Sequence, residues 1–367
     1  MGLVGLPNSG KTTLFNAMTH SHAAVASYAF STTTRNVAQV SVPDERLLRL
    51  ADIVHPKKIT PTTMEFVDIP GLVRGASTGE GMGNQFLGYL RDCDAVAQVV
   101  RCFHNDNIEH VDGSVNPERD VETINLELAV ADLAAVDRRL ERTSKGAKAK
   151  EASAARELPV LQALRQHLND GAPVRTMQRS DDLDAVLAEL NLLTAKPMLY
   201  LANVDENYLA RYHAEFSPED ADVYNVKELA EAEHALAVVV CADLEAQLQD
   251  LDEAEAQEYM ESLGVREAGL ARVIRTSYQM LNLISFLTAG EPEVRAWTIV
   301  KGMSAPEAAG KIHSDIERGF IRAEITPYND LIQLGSYAAA REKGVSRLEG
   351  RDYIMQDGDV VLFRFNA

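Results

Sequence analysis

The chain has 367 residues, 46% of them apolar and 25% charged, and its 36 basic and 55 acidic side chains give a net charge of −19. That length suits two or three domains with a core that needs no disulfide or metal staple, and the acidic balance excludes a protein whose whole surface coats nucleic acid. No run approaches about 18 consecutive apolar residues, so no membrane span is expected; the first residues lack the basic region of a signal peptide; and three sparse cysteines (Cys93, Cys102 and Cys241) suit a reducing, cytoplasmic setting better than a disulfide framework or a structural zinc site.

Met1–Val4 reads as a short apolar strand, followed by a glycine loop and a helix through about Thr19. Four residues is short for a central strand, so either some N-terminal residues are missing or the strand is unusually brief. Asn36–Val42 alternates like a strand, Met64–Val67 is another that ends at Asp68, and Ala95–Val100 is a buried one. Strands alternating with helices imply a parallel sheet with helices on its faces. From about Asp120 the period becomes helical. Val121–Thr143 carries Ile124, Leu128, Leu133 and Leu140 on one stripe, a loop rich in Lys, Gly, Ala and Ser follows, and Glu157–Leu168 is helical again. Two such helices joined by a polar loop predict an antiparallel hairpin. Strands resume at Met198–Ala202 and Ala237–Cys241, so the hairpin reads as an insertion; a domain boundary near residue 125 would leave these strands without a sheet. The expected division is residues 1–120 with 190–280 as an α/β domain, 121–189 as the inserted hairpin, and 281–367 as a small α+β unit. In that last unit Val294–Val300 is a strand with the sole tryptophan, Trp297; Ala305–Arg318 is a helix; and Phe320–Ile325 and Val360–Phe365 are strands, the second after an Asp357-Gly358 turn.

The charge is uneven. Residues 205–268 hold 18 acids and 3 bases, whereas residues 138–179 hold 10 bases and 4 acids. Both segments read either as solvated helix faces or, for the basic one, as a surface that touches RNA phosphates while the acidic one maintains solubility.

Gly5-Leu6-Pro7-Asn8-Ser9-Gly10-Lys11-Thr12 fits G-x-x-x-x-G-K-[ST] without a mismatch, with a strand before it and a helix after. The glycines let backbone N–H groups turn inward around phosphate oxygens, Lys11 reaches the β and γ phosphates, the Thr12 hydroxyl binds Mg²⁺, and the helix adds its positive end. Downstream, Asp68-Ile69-Pro70-Gly71 supplies an acid that would hold Mg²⁺ through water and a glycine N–H that would sense the γ-phosphate. Thr32, within Ser31–Thr34, is the candidate for the second Mg²⁺ hydroxyl. Guanine readers use N-K-x-D after a later strand. Here the strand ends in Asn203-Val204-Asp205-Glu206: the lysine is absent and the fourth position is Glu206. A longer carboxylate reaches a different place, which argues against guanine and leaves adenine open. The position after Gly71, where a glutamine would orient the attacking water, is Leu72, which cannot hydrogen-bond. His110, in a polar loop after the strand Ala95–Val100, is the candidate replacement, because a neutral imidazole near the sheet edge can orient water near neutral pH; His104 is the second choice.

Together, GLPNSGKTTLFNA, DIPGLVRGASTGEGMGNQFL, VVRCFHNDNIEHV, YLANVDE, EVRAWTIVKGMSAPEAAGKIHSDIERGFIRAE and LEGRDYIMQDGDVVLFRFN closely resemble the YchF (Obg-like ATPase) family, in the Obg branch of the translation-factor P-loop GTPases, over almost the whole chain. The resemblance implies a GTPase-like α/β domain with an inserted helical coiled-coil hairpin, followed by a ubiquitin-like TGS domain. It implies an Mg²⁺-dependent ATPase, preferring ATP to GTP and stimulated by K⁺, that associates with the ribosome (large subunit or whole) as a nucleotide-gated regulator of translation or of a stress response. No membrane and no sequence-specific DNA are implied as partners. A ribosome-binding adaptor with incidental hydrolysis and a conventional GTPase are the alternatives.

The match places ATP binding on Asn8, Ser9, Gly10, Lys11, Thr12 and Thr13, with Asn203, the Val204 backbone and Glu206 on the adenine. It places Mg²⁺ on Thr12 and Thr32 and, through water, on Asp68. Lys11 and Gly71 act on the phosphates, His110 takes the water-orienting role, and Asn8 stands where K⁺-dependent relatives ligate the monovalent cation. Three features depart from the family pattern: about four residues fewer in the first strand, Ala29 where proline is usual in Ser27-Tyr28-Ala29-Phe30, and Cys241-Ala242-Asp243 as a loose form of the last base-binding element.

Overall fold

The computed structural model describes residues 1–20, 36–69, 82–149 and 151–366. They form two compact units, Met1–Val40 with Glu65–Val273, and Ser41–Met64 with Ile274–Ala367. In chain order the strands are β1 (Gly2–Gly5), β2 (Asn36–Ser41), β3 (Ile59–Thr60), β4 (Thr63–Asp68), β5 (Val96–Arg101), β6 (Met198–Asn203), β7 (Leu236–Val240), β8 (Leu283–Ala289), β9 (Val294–Val300), β10 (Phe320–Pro327), β11 (Arg347–Glu349) and β12 (Asp359–Phe365). Among the described residues no helix is long and apolar enough to cross a membrane.

The first sheet has the order β2-β4-β1-β5-β6-β7, and β1 lies parallel to both β4 and β5, β5 to β6, and β6 to β7. Every residue of β1, β5 and β6 is buried, as strands covered on both faces must be. β1 is only four residues long, but the Met1 backbone extends its ladder: the Met1 amino group donates to Glu65 O at 2.8 Å and Met1 O accepts from Val67 N at 2.8 Å.

β5 and β6 pair directly, from Val96↔Met198 to Arg101↔Asn203, although a long helical insertion separates them in the chain. Its first helix, Pro117–Lys148, starts where Asn116 Oδ1 accepts from Arg119 N and Pro117 fills the first turn. Its second, Ala152–Asn169, returns antiparallel, with Arg139 and Thr143 donating to Glu157 and Arg165 to Asp137. Val136, Leu161, Leu164 and Leu168 pack between them, with Val174 and Leu183. Both helices are longer than the hydrophobic stripe predicted, because the Ala- and Lys-rich stretch read as a loop has high helix propensity.

Two buried polar clusters fasten this insertion to the sheet. Asp132 is fully buried, and its carboxylate accepts from Leu193 N (2.9 Å), Thr194 N (2.7 Å) and the Thr194 hydroxyl (2.8 Å); burial pushes its pKa up, against those donors. Tyr200 of β6 donates to Glu233 Oε2 at 2.6 Å and accepts from Arg175 and Asn125, each at 3.1 Å; burial pushes the phenol well up.

The second sheet has the order β11-β10-β12-β8-β9-β3. β8 with β9 and β10 with β12 are antiparallel, whereas β12 with β8 and β3 with β9 are parallel. Phe286, Phe320 and Phe363 pack edge-on in its core, with Trp297 stacked on Phe286. Residues 41–64, read from the sequence as part of the first domain, cluster here instead. The helix Arg46–Val54 buries Leu47 and Leu50 in a cluster with Leu287, Val294, Leu331 and Val360, and β3 pairs Ile59 with Val294. The helix expected over Ala305–Arg318 is two, Ala305–Ile312 and Ser314–Arg318, broken at His313, whose extended backbone (φ −163°, ψ 141°) lets its ring cap Asp315 N at 3.1 Å.

Asp132 answers three donors in a water-free position, so Asp132→Ala should lower the unfolding free energy by about 2–4 kcal/mol. Urea unfolding of the full chain measures this, and a loss below about 0.5 kcal/mol would contradict the assigned role.

Candidate active site

β4, β1, β5, β6 and β7 run parallel in the first sheet, so the loops that follow them open at one edge, where open α/β sheets bind ligands. The loop after β1 takes a path few residues allow: Asn8 (φ 63°) and Gly10 (φ 90°) are both left-handed. A Cβ on Gly10 would lie 2.1 Å from Asn203 Nδ2. Lys11 is buried with its ammonium on the Asp68 carboxylate at the end of β4. The Ser9 hydroxyl is buried and, among the described residues, has no hydrogen-bond partner. Thr12 is exposed at the start of the helix Lys11–His20, and Thr13 is half-buried. An orphaned hydroxyl, a cation beside an acid and an open helix N-terminus in one loop form a receptor for a polyanion.

Asn203, at the end of β6, is buried and its carboxamide is spent on two loops. Nδ2 donates to Ser9 O at 2.9 Å and Oδ1 accepts from Ala242 N at 2.9 Å. The Val204 N–H is taken by Val240 O at 2.8 Å. Glu206 opens the helix Glu206–Tyr212 under an Asp205 cap, and both its oxygens are held: Oε1 accepts from Gln247 at 2.6 Å and Oε2 from the Tyr259 hydroxyl at 3.1 Å. Burial, then the bond to Glu206, raises the Tyr259 pKa. Beside them Cys241 is buried and its thiol pushed up to about 12, so it is inert as a nucleophile.

The loop after β5 carries His110. The sequence suggests an open polar loop, but the imidazole is only 4% exposed. Nδ1 accepts from Asp112 N at 3.1 Å, which places the ring proton on Nε2, 2.8 Å from Asp120 Oδ2. Arg119 bonds the same Asp120 carboxylate at 3.1 Å. The residue before it touches the phosphate loop: Asn8 Nδ2 donates to Glu109 O at 3.0 Å. His104 is exposed and pairs with Asp222 at 3.0 Å, away from these contacts. Thr32, Gly71, Leu72 and the Ser27–Phe30 loop lie outside the described residues.

Sequence reasoning missed Gln247 and Tyr259, which come from distant helices, and Arg101. The last had a visible signal: a charge ending a strand whose only other polar residue is Gln98.

Residues 1–131 match the family model described as "50S ribosome-binding GTPase", and residues 283–366 match the C-terminal model of YchF-type GTPases, described as "Protein of unknown function (DUF933)". The "Ribosome-binding ATPase YchF" of Bacillus subtilis (strain 168) is 49% identical over 366 residues, covering 100% of this chain and 99% of its own. The protein of the same name from Mycoplasma genitalium is 41% identical, again over 100% of this chain and 99% of its own. The chain belongs to the YchF family. The solved structure of the Schizosaccharomyces pombe YchF GTPase superposes with a TM-score of 0.85 at 36% identity, covering 99% of this chain and 97% of that one. A GTP binding protein from Pyrococcus horikoshii OT3, at 19% identity and a TM-score of 0.61, covers 100% of this chain and 99% of its own and shares the fold. The α/β unit thus has a P-loop GTPase-like fold, and the loop after β1 carries its Gly5–Thr12 motif.

Gly10 is required twice, by its left-handed φ and by the Asn203 amide against it. Gly10→Ala should therefore weaken nucleotide binding at least about tenfold while the unfolding transition stays cooperative. Titration with a fluorescent ATP analogue checks it; affinity within twofold of the parent would contradict the fit.

Proposed function

We propose that this YchF-family chain is an Mg²⁺-dependent ATPase that takes ATP in preference to GTP and couples its nucleotide state to ribosome binding, as a regulator of translation or of a stress response. Glu206 carries the reading. Guanine recognition needs a carboxylate at the reach of aspartate with a lysine two residues before it. Here the side chain is one methylene longer, its direction is set by Gln247 and Tyr259, and the lysine position is Val204, buried against β7. A carboxylate so held accepts from the exocyclic amine of adenine. The ATPase assignment agrees with the names of the bacterial relatives, whereas the yeast structure carries the name GTPase, so nucleotide choice is the property to measure.

On triphosphate binding, Lys11 leaves Asp68 for the β and γ phosphates, and the orphaned Ser9 hydroxyl gains a partner. The Thr12 hydroxyl and the Asp68 carboxylate, with Thr32, are the hard oxygen donors that Mg²⁺ takes, and the ion supplies neutralisation of charge on the phosphates. Asn8 gives its amide N–H to Glu109, which leaves the amide oxygen as the acceptor for K⁺. The Gly71 N–H senses the γ-phosphate. His110 orients the water in place of Leu72 once its ring turns from Asp120. The helix pair is the coiled-coil arm of the family, and the C-terminal unit is its TGS domain.

Competition of ATP against GTP on the purified chain tests the nucleotide reading: tighter ATP is expected, and equal or tighter GTP would refute it. Val204→Lys with Glu206→Asp should shift preference toward GTP.

The helix pair presents exposed Arg138, Arg142, Lys148 and Arg156, whereas Arg139 is engaged by Glu157 and Glu189. We assign the first four to ribosomal RNA phosphates. Reversing Arg138, Arg142 and Arg156 to Glu should cut ribosome co-sedimentation and flatten its salt dependence by up to about three charges. Unchanged binding would move the contact to the C-terminal unit.

A further inference from the structure

We infer that Arg101 is a positioning residue for hydrolysis, whose guanidinium sets the register of the His110 loop against the phosphate loop. The inference rests on the reading of His110 as the group that orients the water. Arg101 ends β5 and is 2% exposed. A buried cation ordinarily demands a carboxylate, and none of the described ones bonds it. Its donors go to backbone carbonyls of the loop that follows: Nε to Phe103 O at 3.3 Å, Nη1 to Glu109 O at 3.2 Å, and Nη2 to Asn105 O at 3.3 Å and Ile108 O at 2.9 Å. The guanidinium also lies over the Phe103 ring, 4.6 Å from its centroid.

The loop is thus wound around one planar fork. Only arginine offers five donors in a fixed plane; lysine would satisfy fewer carbonyls and could not hold their relative directions. Such groups are expensive to bury, and a role in packing alone would be served by an apolar side chain of similar volume. One carbonyl shows what the geometry achieves. Glu109 O is shared between Arg101 Nη1 and Asn8 Nδ2, so the residue immediately before His110 is pinned both to the sheet and to the phosphate loop. The His110 ring is held, among the described residues, by Asp112 N, Arg119 and Asp120, while its carbonyl accepts locally from Gly113 N at 2.9 Å. The backbone on one side of His110 is therefore fixed while its ring has a separate, exchangeable tether. That is the arrangement a group needs if it must turn through a small angle and still arrive at a defined place, where displacement of about 1 Å costs up to about a hundredfold in rate.

The test uses the full chain with Arg101→Lys, Arg101→Gln, His110→Ala and the Arg101→Gln/His110→Ala double variant. It reads steady-state kcat and KM for ATP, hydrogen exchange over residues 103–112, and the melting temperature. Arg101→Gln should lower kcat about tenfold or more with KM within twofold and should speed exchange in the loop. Arg101→Lys should recover part of kcat and remains informative if the glutamine variant does not fold. The double variant should be no slower than His110→Ala alone, because two residues acting through one step are not additive. If His110→Ala is slow but both Arg101 variants turn over like the parent, the inference is overturned and the reading of His110 stands. If His110→Ala turns over normally while Arg101→Gln is slow, the His110 reading fails and Arg101 positions a different group on the same loop. Parallel changes in KM and kcat, or a lowered melting temperature without faster loop exchange, would make Arg101 a purely structural residue and refute the proposal.

Discussion

The site depends on one carboxamide. Asn203 donates through Nδ2 to Ser9 O and accepts through Oδ1 from Ala242 N, and it is almost wholly removed from water. Each bond contributes only about 1 kcal/mol net, but breaking either would strand a buried polar group at about 1–3 kcal/mol, so the two loops move together or not at all. The absence of a Cβ at Gly10 is what allows the amide to approach. The loop after β1 and the segment after β7, far apart in the chain, are thereby tied to the end of β6 as a single element.

A second constraint acts on the neighbouring strand. β5 ends in Arg101 and β6 in Asn203, and these two residues are register partners in the sheet. Side by side, one organises the loop with His110 and the other the loop after β1, while Asn8 joins them through Glu109. The helical insertion leaves the chain between these strands and is anchored back by Asp132 and by the Tyr200, Asn125, Arg175 and Glu233 cluster. Tyr200 lies on β6 three residues before Asn203, so the strand that ties the two loops together also carries the anchor of the helix pair.

The legible parts of the sequence were those whose signal is local. The loop Gly5–Thr12 is contiguous and needs no tertiary knowledge. The buried strands β5 and β6 declare themselves by runs that are apolar but for Gln98 and their last residues, and the helix pair by its period. What stayed hidden was set by distance. Residues 41–64 join the C-terminal unit through β3, two residues long, pairing with β9 more than two hundred residues away, which leaves no pattern to read. The break at His313 falls inside an uninterrupted helical stripe and depends on a side-chain cap. Glu206 was visible as a substitution in a motif, yet its clamp by Gln247 and Tyr259 is not, since these lie on two other helices. The burial of His110 was missed for a related reason: a loop rich in Asn and Asp looks solvated, whereas a single arginine at the end of a strand folds its carbonyls inward.

The measurement that bears most directly on this account is ATP affinity, by calorimetric titration, in Asn203→Ala compared with the parent chain. If the Asn203 amide is the strut that makes phosphate and base loops one element, the variant should remain folded and lose affinity at least about tenfold, for ATP and for ADP alike. An Asn203→Ala chain that binds ATP within twofold of the parent would contradict it.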